Sequence, residues 1–162
     1  MARPTKEFLR ALEESIEAME AEGASYQWGH MGQCNCGHLV HALTKIPQAE
    51  IHAAALKRAG DWGQQAIDYC PTSGYPLDHI ITTMLEAGMD IDDINNLERL
   101  DDKRVLDRLP RERRYLSQNN KEDAVLYMRT WLTMLREEAA KMVELPTASP
   151  ERQDPHDSRQ VA

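Results

Sequence analysis

Residues 119–142 read NNKEDAVLYMRTWLTMLREEAAKM. Ala124, Met128, Trp131, Leu135, Ala139 and Met142 recur at steps of four, three, four, four and three. That spacing is one stripe of a 3.6-residue helix. Asn119 or Asn120 stands where an N-cap belongs. Residues 4–22 repeat the pattern: Phe8, Leu12, Ile16 and Met19 share a face that Leu9 widens, Arg10 and Glu14 pair at i,i+4, and Gly23 supplies the stop.

Shorter helices fit between these two. Asn35 reads as a cap for a helix from Cys36 to about Thr44. Pro47 opens another to Ala59, which Gly60 ends. Asp61 caps Trp62 to about Tyr69, which Pro71 ends. Leu77, Ile80, Ile81, Met84 and Leu85 make a stripe over Pro76–Ala87, closed by Gly88. Asp90 caps a helix carrying Ile91, Ile94 and Leu97. Asp101 caps one carrying Val105, Leu106 and Leu109, stopped by Pro110. No segment alternates with period two. The expectation is an all-α single domain over 1–145, followed by a disordered tail over 146–162 that is rich in Pro, Ser, Thr and charge.

Composition agrees. The chain has 162 residues, of which 41% are hydrophobic and only 6% aromatic, so its core rests on aliphatic residues and eight Met. The net charge of −8 argues against bulk binding of duplex nucleic acid, which rewards a basic surface. No apolar run reaches membrane-spanning length. The first residues lack a secretory apolar region, and the three cysteines are an odd count, so a reducing, cytoplasmic setting is expected. Phosphate-loop, dinucleotide-fold, nucleophile-elbow and di-iron signatures are all missing. Asp90, Asp92 and Asp93 fail as a calcium loop, because Ile94 takes a ligand position.

One segment departs from helix. His30, Cys34, Cys36, His38 and His41 crowd a stretch that also holds Trp28 and three glycines. Thiolate and imidazole are ligands of zinc and of iron–sulfur centres. Two ligands one residue apart can share a metal only from a loop or a helix end, since two steps along a helix turn them about 200° apart. On a helix whose apolar face is Leu39, Leu43 and Ile46, Cys36 points inward. Cys34, His38 and His41 lie on the other side, so His38 and His41 lean toward solvent, while Cys34 and His30 join Cys36 and Cys70 as inward candidates. Cys70, pinned by Pro71, adds a third thiol from a second loop.

The leading expectation is a zinc ion or iron–sulfur cluster held by Cys34, Cys36, Cys70, His30 and His38, joining the 30–38 loop to the Cys70 loop. Two other readings stay open. The cysteines of a helical interaction module can simply pack, as buried cysteines commonly do. Alternatively, Trp28 and Tyr75 wall a pocket for a small ligand or cofactor. Arg104, Arg108, Arg111, Arg113 and Arg114 could meet an acidic or phosphate-bearing partner over 108–114, or form an ordinary solvated helix end.

Overall fold

The computed structural model describes residues 1–69 and 76–144. Cys70, Tyr75 and the segment expected to be a disordered tail lie outside the described residues. The described residues form eight α-helices and one short 3-10 turn, with no strand. They are α1 (Lys6–Glu20), α2 (Asn35–Thr44), α3 (Gln48–Ala55), α4 (Trp62–Ile67), α5 (Pro76–Ala87), α6 (Ile91–Arg99), α7 (Lys103–Leu106) and α8 (Lys121–Glu144). No helix among the described residues is long and apolar enough to cross a membrane.

The two long helices frame the core. Phe8, Leu12, Ile16 and Met19 are fully buried, as are Ala124, Met128 and Leu135. Burying each of the large ones contributes about 1.5–3 kcal/mol. Phe8 meets Trp131 edge-on, with ring centroids 5.5 Å apart and planes at 70°. The ion pairs Arg129–Glu20 and Arg136–Glu13 run in opposite order along the two helices, so α1 and α8 are antiparallel. The stripe of α8 is covered only through Leu135, for Met142 is 65% exposed.

Capping fixes the helix starts. The Thr5 hydroxyl accepts the Phe8 N–H at 3.1 Å and donates to the Ala87 carbonyl at 2.7 Å, so the start of α1 is tied to the end of α5. Asp90 and Asp93 form a reciprocal capping box on α6. The Asn120 side chain accepts the Asp123 N–H at 2.9 Å at the start of α8.

Several starts and ends differ from the sequence reading: α1 is shorter at both ends, and α4 and α7 stop at Ile67 and Leu106. Cys34, not Asn35, caps α2. Asn35 is the first helical residue, fully buried, and its amide donates to the Leu97 carbonyl of α6 at 2.5 Å. Asp102, not Asp101, caps α7, accepting the Arg104 N–H at 2.9 Å. Helix α3 stops at Ala55 rather than Ala59, and turns carry the chain to Gly60 at φ +92°. Helix α2 lies centrally, packed against α1, α3, α5 and α6, while α4 packs on α6. This arrangement sets the 24–34 loop beside the turn between α3 and α4.

Candidate functional site

The 24–34 loop folds onto the start of α2. The main chain of Gly37 runs so close beneath it that a Cβ there would lie 2.4 Å from the Met31 carbonyl oxygen. The Cys34 thiol caps the helix, accepting the Gly37 N–H at 3.3 Å and donating to the Met31 carbonyl at 3.7 Å. Cys36 lies on the core side and donates to the Ile94 carbonyl at 4.0 Å. Both thiols are free and buried. Hydrogen bonding from Cys36, with the Gly37 N–H and the Trp62 side chain, holds Cys34 below the usual thiol range despite burial. Burial, and the neighbouring Cys34, push Cys36 well above it.

The histidines go elsewhere. His30 stacks on His52 of α3, with ring centroids 3.8 Å apart. Each uses Nδ1 to accept a backbone N–H, from Gly32 to His30 at 3.2 Å and from Met31 to His52 at 3.1 Å. A metal on Nε2 of His30 would force the proton onto Nδ1 and break that bond. His38 is 6% exposed, not turned to solvent, because the 24–34 loop and the start of α3 cover that face. Its ring bridges the Ser25 carbonyl at 3.1 Å and the Gln48 side-chain amide at 3.2 Å. His41 reaches the Ile46 carbonyl at 2.7 Å. Cys34 and Cys36 are thus brought together, while His30 and His38 sit in separate hydrogen-bonded settings. Among the described residues no group of three His, Cys, Asp or Glu is gathered to hold a metal ion.

Next to this loop lies a cavity of about 230 Å³. Trp28 and Met31 form one wall, Ala55 and Leu56 another, and Asp61 and Glu98 supply its carboxyls. The aromatic wall expected of Trp28 is there, while Tyr75 lies outside the described residues. Trp62 is fully buried, and its indole N–H donates to the Met31 carbonyl at 3.1 Å, locking the loop to α4. The indole N–H of Trp28 is also buried but finds no acceptor among the described residues.

Glu98 is the chemical centre of this cavity. It is 4% exposed and belongs to α6, four residues after the buried Ile94. Its carboxyl accepts the main-chain N–H of Trp62 at 3.1 Å and of Gly63 at 2.6 Å. Burial raises its pKa to about 7, and the charge of Asp61 and a hydrogen bond between the two carboxyls add to the rise. The two N–H groups work in the opposite direction and do not prevail. Asp61 in turn caps α4, accepting the Gln64 N–H at 2.8 Å. Glu98 therefore keeps its proton up to about neutral pH, beside the charge of Asp61.

The sequence reading missed Glu98 and took Asp61 only as a cap, which it also is. A signal was present: Glu98 occupies a stripe position of an amphipathic helix, where an apolar residue is expected. The arginine patch has a plainer outcome. Arg104 pairs with Asp102, Arg108 with Glu137, Arg113 with Asp123 and Arg114 with Asp107, at 2.7–3.4 Å. Most of its charge is met within the chain.

Comparison of the chain with protein-family models, with curated proteins and with solved structures finds no match.

Proposed function

We propose that the protein binds a small ligand in the Trp28 cavity, with Glu98 and Asp61 as the working pair. The observation that carries this reading is a carboxyl poised to hold a proton near pH 7 at the wall of a cavity. Perturbed titrating groups in a cleft mark functional sites, and concave, mostly apolar cavities with few polar groups are where small ligands bind. A carboxyl half-protonated at neutral pH can also give a proton to a bound molecule and take one back, which is the requirement for general acid–base work. The volume suits a molecule of a few heavy atoms rather than a nucleotide.

The test is an NMR screen of the full chain against small cationic, neutral and anionic fragments. Binding in the cavity shifts the Trp28 indole N–H together with the amides of Met31, Trp62 and Gly63. A screen in which no fragment moves that set overturns the reading.

The thiol pair supports a second reading, a zinc ion or iron–sulfur cluster held by Cys34 and Cys36 with Cys70 as a further ligand. It is favoured by the position of Cys34 below the usual thiol range, since the thiolate is the metal ligand. Elemental analysis of untagged protein purified without oxygen tests it. About one metal centre per chain supports it, and a ratio near zero with no uptake of zinc or of iron and sulfide contradicts it.

A further inference from the structure

We infer that the ligand of the Trp28 cavity is a small organic amine, an inference that rests on reading the cavity as a ligand site. Four features of the lining converge on this class.

The first is charge. Asp61 and Glu98 are acidic, and the basic residue of the lining is Arg58. Arg58 is already engaged by Asp78 of α5 at 3.0 Å, with both side chains largely buried. An incoming anion would meet two carboxyls and a cation committed elsewhere. An incoming ammonium would meet two carboxyls and would replace the proton of Glu98.

The second is Trp28. An indole face attracts a cation, most of all where water is excluded. Trp28 lines the cavity together with the two carboxyls.

The third is the apolar surface of Met31, Ala55 and Leu56, which would take a short alkyl stem. The fourth is size. About 230 Å³ corresponds to roughly seven or eight water volumes, which admits a short alkylamine and excludes larger polyamines lying wholly inside.

Ammonium binding requires both carboxyls ionised. Because Glu98 titrates at about 7, amine binding strengthens as pH rises through neutrality. An alkylammonium keeps its own proton well above that range, as the lysine side chain does.

The experiment is an NMR titration of the full chain with ethanolamine, propylamine, propan-1-ol and propionate, followed at the Trp28 indole N–H, at about pH 6 and about pH 8. Both amines are expected to bind, each about tenfold tighter at the higher pH, which follows from ionising a group at about 7. Asp61→Asn keeps a competent helix cap and is expected to weaken amine binding at least tenfold. Propanol or propionate binding as well as the amines would overturn the amine class while leaving the cavity as a ligand site. Amine binding that is insensitive to pH and to Asp61→Asn would overturn the role of the carboxyls. If none of the four probes, and none of the fragments in the wider screen, moves the Trp28 signal, the ligand-site reading falls with it.

Discussion

The main-chain N–H of Gly63 donates to the Glu98 carboxylate at 2.6 Å, fastening the first turn of α4 to the last turn of α6. The approach is close enough that a Cβ on Gly63 would lie 2.5 Å from Asn95 Oδ1 and 3.1 Å from Glu98 Oε2. The site carboxyl is thus held by backbone, and the backbone comes near enough only because residue 63 has no side chain.

Gly63→Ala is therefore expected to destabilise the protein by about 1–3 kcal/mol, the usual cost of overpacking. It should also loosen Glu98, so that the carboxyl titrates differently from wild type. Urea unfolding measures the first effect. A variant as stable as wild type would show that α4 and α6 can separate without loss.

Trp131 offers a contrast between size and polarity. It is 2% exposed against Phe8, yet its indole N–H finds no acceptor among the described residues. Trp131→Ala should cost about 3–5 kcal/mol through the cavity it leaves. Trp131→Phe should cost much less, because it removes an unmet donor along with part of the ring. Equal losses in thermal unfolding would mean that the N–H is satisfied in solution.

The long helices, the Asn120 cap of α8 and the all-α class were legible because apolar spacing and capping chemistry are local. Helix α5 was bounded correctly from Pro76 and Gly88 alone. What failed depends on contacts distant in sequence. Asn35 looks like a cap by type, but its amide is drawn to Leu97 and the Cys34 thiol takes over the capping. His38 sits on the polar side of its own helix, and only the returning 24–34 loop buries it. Cysteine and histidine density drew attention to the right loop for a different reason. The loop contributes Trp28 and Met31 to a cavity whose carboxyls come from Asp61 and Glu98.

The pH dependence of stability follows from Glu98. Its carboxyl has an ordinary value of 4.5 and is raised to about 7 in the fold, so between those values the folded chain binds more protons than the unfolded chain. Stability from this group is present at low pH and is lost as pH rises through about 7. Glu98→Gln should remove that decline, leaving a smaller one from Asp93, which is raised to about 6 mainly by burial. In urea unfolding at about pH 5 and about pH 7.5, wild type should lose more stability over the interval than the variant. A wild type that gains stability relative to the variant would reverse the sign.

The most direct measurement is the pH titration of the Glu98 carboxyl carbon by NMR, in wild type and in Asp61→Asn. A Glu98 carboxyl raised by burial and by the charge of Asp61 requires a midpoint near 7 in wild type and a clear fall once the Asp61 charge is removed. A wild-type midpoint near the ordinary value of 4.5, unmoved by Asp61→Asn, would contradict the pair and with it the chemistry assigned to the cavity.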